Sequence, residues 1–335
     1  MCRLKDTYLR WFELAREGLA LGVENRREYR DVERVVITGM GGSGIAGDLV
    51  VLALEDYAEM LGMVSKDFSI PSPMVNERTL VIAISYSGNT RETLFSLEQA
   101  LKRSSKACIV ASGGKLIEFA RSRGIPYVKV REGLAPRLAL PQLFTATIKL
   151  LKEVGVVDVV NEVARDIEVL RETRSALMDS ESLASFLRNA RMPLIVASTR
   201  YQVLAMRIKN ELNENAKMPA KVEIAPELFH NDIVGWERQV FSDRAVIVES
   251  DLEHEREYLR LYEEFLDSMG FEIWLMKLLG DTRIAKIMYG SLVAGLASVR
   301  IAELVGVDPL VTKSIASYKK FVTGEEEFIR RSLGL

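Results

Sequence analysis

Two short loops hold most of the residues that could do chemistry. Gly39-Met40-Gly41-Gly42-Ser43-Gly44 fits G-x-G-x-x-G, after a strand-like run and before a helix-like one. Backbone N–H groups at a helix start form an anion site, and missing Cβ atoms let a phosphate approach. Alone, the loop leaves three readings open: a dinucleotide, another phosphate or sugar, or a tight turn. A dinucleotide fold wants an acidic residue roughly 20 positions on, at the end of the second strand. The nearest candidate, Asp67, reads with Lys66 as lying inside an apolar run rather than at its end. The second loop, Ser85-Tyr86-Ser87-Gly88-Asn89-Thr90, gathers hydroxyls and backbone donors at a positive helix end, a cup of neutral donors suited to a phosphate monoester. A single loop of this kind reads as a capped turn with Thr90 as N-cap. Two on successive strand ends point instead to a ligand at the carboxyl ends of parallel strands.

Farther along, Asn210-Glu211-Leu212-Asn213-Glu214-Asn215-Ala216-Lys217 closes a helical pattern. Leu204, Ile208 and Leu212 form its apolar stripe, so Asn210, Asn213 and Glu214 project elsewhere. Asparagine is a poor helix former, and its density here is unusual for a solvated face; spacing alone nevertheless favours a fraying helix end. His230, after the apolar run 224–228, reads by itself as a structural histidine, and Arg137 and Lys319 as solvated bases.

These residues need elements to hold them. Apolar runs at 34–38, 80–84, 107–111 and 126–130 read as strands, alternating with helical patterns at 43–56, 90–101, 115–123 and 138–153. Strands buried on both faces and alternating with helices argue a parallel sheet in a layered α/β domain. A charged helical segment at 161–189 reads as a connection between domains. The order then restarts, with strands at 193–197, 245–248 and 271–275 and helices at 201–213, 254–270 and 288–304. The expectation is two three-layer α/β/α domains with parallel sheets, at 1–155 and 156–310, followed by a C-terminal helix at 311–335. The repeated order is a weak internal duplication.

The chain has 335 residues, with 45 basic and 47 acidic side chains. A net charge of -2 provides no general attraction for nucleic acid or anionic membrane, so a phosphorylated ligand must be held by local groups. No run approaches 18 uninterrupted apolar residues, and the charged start lacks a signal-peptide core, so no membrane span is expected. Cys2 and Cys108 cannot make a disulfide framework, and the chain reads as cytoplasmic. His230 and His254 leave little scope for a metal site.

Together, GMGGSG at 39–44, SYSGNT at 85–90, APRLALPQL at 135–143, NELNENAK at 210–217, PELFHN at 226–231 and the pair Thr312 and Lys319 carry a family likeness. Over nearly its full length the chain resembles the archaeal-type bifunctional phosphoglucose/phosphomannose isomerases of the sugar isomerase (SIS) superfamily. Phe229 departs from the pattern, since relatives can carry a second histidine there. The resemblance implies SIS-type domains and an aldose–ketose isomerase acting through a cis-enediol, with neither metal nor cofactor. It implies that Gly42, Ser43, Ser85, Ser87 and Thr90 bind the phosphate and that Glu214 shuttles the proton between C2 and C1. His230 and Lys319 match ring-opening positions, Arg137 one that stabilises the enediolate, and Thr312 one associated with tolerance of either C2 configuration. It also implies a homodimer with active sites near the interface. The competing readings are a noncatalytic SIS regulator that binds sugar phosphate and an NAD-dependent dehydrogenase using the 39–44 loop.

Overall fold

The computed structural model describes residues 2–103, 105–238 and 240–335. The chain forms two compact units, one of Arg10–Ile167 with Thr312–Leu335, the other of Glu168–Val311 with the N-terminal residues through Leu9. Helix α1 (Cys2–Leu9) therefore belongs to the second unit, and the first begins with α2 (Trp11–Ala20).

In the first unit the order is β1 (Arg34–Thr38), α3 (Gly41–Ala58), β2 (Leu61–Ser65), β3 (Thr79–Ile84), α4 (Arg91–Lys102), β4 (Lys106–Ala111), α5 (Gly114–Arg123), β5 (Tyr127–Lys129), α6 (Leu140–Glu153) and α7 (Val160–Asp166). The sheet is parallel throughout, in the order β2-β1-β3-β4-β5. The chain leaves β1 for one edge and returns past it to β3, so the crevice above β1 and β3 is the topological switch point where such sheets bind ligands. Every residue of β3 is buried, because helices cover both faces and its apolar run has no solvated side. The edge strand β2 was less legible: a glycine and a half-exposed face break its pattern. Lys66 and Asp67 lie just beyond its carboxyl end, not inside a strand as their apolar surroundings suggested. Lys66 pairs with Asp48 on α3, and Asp67 accepts the N–H of Phe68 at 2.6 Å.

The second unit runs α8 (Thr173–Leu187), β6 (Leu194–Ser198), α9 (Gln202–Glu211), β7 (Lys221–Ala225), α10 (Asp232–Trp236), β8 (Arg244–Val248), α11 (Glu253–Ser268), β9 (Glu272–Met276) and α12 (Arg283–Val305). Its parallel sheet has the order β7-β6-β8-β9, matching the first four strands of the other sheet. Both sheets thus bear out the two parallel α/β domains and the repeated order. Helix α12 is long and apolar enough to cross a membrane by composition, but 89% of its apolar window is buried within the fold. Helix α8 packs on it and buries Ala176, Ser180, Leu183, Ala184 and Leu187, so the charged 161–189 segment is not a bare connector. Its apolar stripe at three- and four-residue spacing makes α8 part of the helical layer.

Two terminal helices, α13 (Lys313–Gly324) and α14 (Glu326–Leu333), pack on α4 of the first unit. Tyr318 Oη donates to Glu92 at 2.7 Å, Arg330 pairs with Glu98 at 2.7 Å, and the Arg330 guanidinium lies 4.9 Å from the Phe95 ring centroid.

Candidate active site

The two loops foreseen as phosphate binders meet above β1 and β3. Ser43, in the first turn of α3, is buried, and its Oγ accepts the backbone N–H of Tyr86 at 3.1 Å. One hydrogen bond therefore ties the first loop to the second. Thr90 occupies the N-cap of α4, yet its side chain makes no capping bond. Its Oγ1 lies 2.8 Å from Ser85 Oγ instead. This is the difference between a capped turn and a cup: the hydroxyl pair is aligned with itself rather than spent on the helix. Ser87 is half-buried, and its Oγ accepts the N–H of Asn89 at 3.3 Å. Gly88 has a φ of +67°, and a Cβ there would lie 1.8 Å from the carbonyl oxygen of Gly113. The loop can pass so close to its neighbour only without a side chain.

Arg137 belongs to the same cluster. It is buried in a 3₁₀ turn, Pro136–Ala139, that leads into α6. Gly42 makes room for it: a Cβ at that position would stand 3.3 Å from both Arg137 Cα and the Pro136 carbonyl oxygen. The turn that carries Arg137 thus packs against the first loop, and the arginine is a buried positive charge in a chain of net charge -2.

Glu214 and His230 lie in the second unit. Helix α9 widens into a single π-helical turn, Leu212–Ala216, with Glu214 at its centre and half-buried. π-turns of this kind are frequent at functional sites. The turn is not a fraying helix end. Asn215 is wholly buried and its Nδ2 donates to Glu211 at 2.8 Å, to Ser298 at 2.9 Å and to Tyr8 at 3.2 Å. Tyr8 Oη in turn donates to Glu211 at 2.7 Å, and Arg207 forms a buried ion pair with the same carboxylate. Lys217 closes the turn by donating to the Glu214 carbonyl at 2.5 Å. Sequence reasoning singled out Glu214 but not this network. Its signal was the i, i+4, i+8 series Arg207, Glu211, Asn215, polar residues running beside the apolar stripe.

His230 is exposed at the end of the 3₁₀ turn Glu227–His230. That segment is fastened to β7 from below, where buried Glu223 accepts from Trp236 Nε1 at 3.1 Å and pairs with Lys221, which also reaches Asp232 at 3.1 Å. Thr312 stands at the N-cap of α13 and is half-buried, while Lys319 on the same helix is exposed.

The corresponding crevice of the second sheet, above β6 and β8, is filled by the chain itself. Asp251 accepts from Arg200 at 2.9 Å, Tyr201 at 2.8 Å and Lys286 at 3.0 Å. Burial pushes the Asp251 carboxyl up, but these three donors outweigh it and hold it well below the usual carboxylate range. Ser198 and Ser250 both donate to Glu255. Where the first sheet presents hydroxyls and glycines, the second presents a closed ion pair. Among the described residues, no three His, Cys, Asp or Glu side chains group as a metal site.

Two repeated parallel sheets, with a hydroxyl cup on one and a carboxylate on a π-turn of the other, define a protein of two SIS-type domains. An SIS domain family model matches residues 28–120, and the model for the bacterial phospho-glucose isomerase C-terminal SIS domain matches 178–322. The bifunctional phosphoglucose/phosphomannose isomerase of Aeropyrum pernix is 33% identical over 328 residues, covering 95% of this chain and 97% of that protein. The chain belongs to the bifunctional phosphoglucose/phosphomannose isomerase family. A D-glucosamine-6-phosphate 4-epimerase of Sulfolobus acidocaldarius is 32% identical over 236 residues, 69% of this chain and 72% of that protein. The fold is shared with the C-terminal domain of glucosamine-fructose-6-phosphate aminotransferase from Francisella tularensis, at a TM-score of 0.69 and 16% identity, over 91% of this chain and 97% of that one.

Proposed function

We infer that this protein interconverts glucose 6-phosphate and mannose 6-phosphate with fructose 6-phosphate through a cis-enediol, without a metal or cofactor. The observation that carries the reading is the cup above β1 and β3, where Thr90 turns its hydroxyl from its own helix to Ser85. With backbone donors of two loops, that cup suits a phosphate monoester. Near-full-length relatives that are phosphoglucose/phosphomannose isomerases supply the substrate class.

In this reading Ser43, Ser85, Ser87 and Thr90 anchor the phosphate. Glu214 takes the C2 proton of the open-chain aldose and returns it to C1, one carboxylate serving adjacent carbons from one position. Arg137 stabilises the developing enediolate. His230 and Lys319 move protons between the anomeric hydroxyl and the ring oxygen during opening. The reading includes a homodimer with active sites near the interface; the exposure of His230 in a single chain is consistent with its use in a partner's site.

Glucose and mannose phosphates differ in configuration at C2, so Glu214 serves both only if the open chain rotates about C2–C3 while the phosphate stays anchored. Thr312 is the residue assigned to that tolerance, and Thr312→Gln should depress mannose 6-phosphate turnover more than glucose 6-phosphate turnover. The test is a coupled assay for fructose 6-phosphate from each aldose phosphate, with and without chelator. Conversion of glucose but not mannose phosphate would leave a plain phosphoglucose isomerase, and chelator sensitivity would refute metal independence. The epimerase relative makes glucosamine 6-phosphate the necessary third substrate in the panel. A noncatalytic regulator is disfavoured by the half-buried Glu214 and the buried network of Tyr8, Arg207, Glu211, Asn215 and Ser298 under it.

A further inference from the structure

Tyr86 lies between Ser85 and Ser87 in the second loop and is hydrogen-bonded to the first loop through Ser43. Its backbone N–H is held by Ser43 Oγ at 3.1 Å, and its carbonyl accepts both the N–H of Ser112 at 2.8 Å and Ser112 Oγ at 2.6 Å. Its ring is buried at 6% exposure, so the backbone and the phenol move as one body. The phenol donates to the Arg131 carbonyl at 2.9 Å and accepts the N–H of Leu134 at 2.7 Å. Arg131 and Leu134 lie on the loop that leads into the Pro136–Ala139 turn carrying Arg137. The turn itself is held by Trp11 Nε1, which donates to the Leu138 carbonyl at 3.0 Å, and the start of the loop before it by Gln142, which accepts the Arg131 N–H at 3.0 Å. The Tyr86 phenol is thus a hydrogen-bonding side chain that runs from the phosphate loop to the loop before this turn.

We propose that Tyr86 is a positioning residue that ties the phosphate cup to the placement of Arg137. The proposal rests on the isomerase reading above and deepens it. A phosphate entering the cup orders the 85–90 loop through its N–H groups and hydroxyls. The phenol passes that order to the Arg131 and Leu134 backbone, and hence to the guanidinium that faces the developing charge. A misplacement of about 1 Å in such a group is enough to slow chemistry by roughly a hundredfold, while loss of the phenol oxygen leaves the hydroxyls and N–H groups of the cup in place. Tyr86 therefore acts on turnover and not on affinity.

The variant is Tyr86→Phe in the full-length chain, which keeps the ring and removes the phenol oxygen. The expected result is a ten- to hundredfold loss of kcat on glucose 6-phosphate, with KM and the inhibition constant of inorganic phosphate changed less than threefold. Because the phenol works through Arg137, Tyr86→Phe should cost less than twofold in an Arg137→Ala background. Equal losses in both backgrounds would mean that the phenol only supports the fold, and would overturn the proposal. Hydrogen exchange on the unsubstituted protein gives a second reading that does not depend on the variant folding: inorganic phosphate should slow exchange at the Leu134 amide. No slowing there overturns the proposal as well. If the unsubstituted protein isomerises neither aldose phosphate, the isomerase reading itself fails; if it does and Tyr86→Phe matches it, only this inference fails.

Discussion

Two hydroxyls that bond to each other use one proton and leave one. Ser85 Oγ and Thr90 Oγ1, 2.8 Å apart, are in that position, so the pair retains an O–H to give to an anion above the sheet. Thr90→Ala removes this arrangement without disturbing a cap, because the side chain makes no capping bond. The expected outcome is a five- to tenfold rise in KM for glucose 6-phosphate, about 1 kcal/mol, the size of one net hydrogen bond. Turnover should stay within twofold; steady-state kinetics separate the two, and an unchanged KM would reduce the loop to a tight turn. Glu214→Gln should do the reverse, removing turnover while inorganic phosphate still binds within about tenfold, or 1.4 kcal/mol. The amide keeps the shape of the side chain and loses its basicity. Asp251 provides a third case with a pH signature. Its folded pKa is depressed, so it adds stability above its unfolded value near 3.9, and that stability is lost as pH falls through the lower folded value. Asp251→Asn should lower the urea midpoint at pH 7 by an amount equivalent to about 1 kcal/mol, kept small because the carboxylate is partly exposed and screened. The gap to the unsubstituted protein should narrow as pH drops below about 4; a gap constant from pH 7 to pH 3 would rule out the ion pair as its source.

At the scale of elements, what could be read from sequence was what period and composition report. The central strands β1, β3, β4, β6 and β8 are continuous apolar runs with helices between them, and the glycine and serine loops announce their own turns. Edge strands β2 and β7 carry glycine or charge, because one side of an edge needs no apolar partner, and their patterns are correspondingly weak. The buried polar system under Glu214 was invisible for a different reason. Hydrophobic periodicity counts apolar residues, and Arg207, Glu211 and Asn215 are buried by pairing with one another rather than by being apolar. Such a pair has a testable asymmetry. Breaking it by Arg207→Met leaves the Glu211 carboxylate buried without its partner, and should cost about 3–5 kcal/mol, while replacing both by Arg207→Met with Glu211→Leu should cost far less. Urea unfolding of the single and double variants measures this directly. A double variant no better than the single would mean that the remaining bonds of Glu211 to Tyr8 and Asn215, and not the ion pair, hold the π-turn.

For the whole molecule, the assignment of its two ends is the feature with the widest consequence. Residues through Leu9 belong to the unit that carries Glu214 and His230, and Thr312–Leu335 to the unit that carries the cup. Each terminal segment thus completes a unit whose remaining residues are elsewhere in sequence. Tyr8 is the clearest instance: its ring fills the space over Gly295, where a Cβ would come within 2.2 Å of it, and its hydroxyl reaches Glu211. Removing residues 2–9 empties that space and leaves Glu211 and Asn215 short of a partner inside the second unit. At the other end, removing 312–335 strips Tyr318 from Glu92 and Arg330 from Glu98 and the Phe95 ring, all on α4 of the first unit. The two truncations should therefore destabilise different units. Losing a fully buried tyrosine resembles a large-to-small core change, so deletion of 2–9 should cost about 3–5 kcal/mol. Deletion of 312–335 removes mainly exposed helix held by polar anchors, among them Tyr318–Glu92, Arg330–Glu98 and Arg91–Glu326, and about 1–3 kcal/mol is expected. Activity cannot separate them, because the second deletion also removes Thr312 and Lys319. Native-state hydrogen exchange can, since it reports opening segment by segment. Faster exchange in β6, α9 and α12 on deleting 2–9, and in α4 and β3 on deleting 312–335, is the expected pattern; loss of protection spread evenly over both units in either truncation would show that the ends do not belong to the units as assigned.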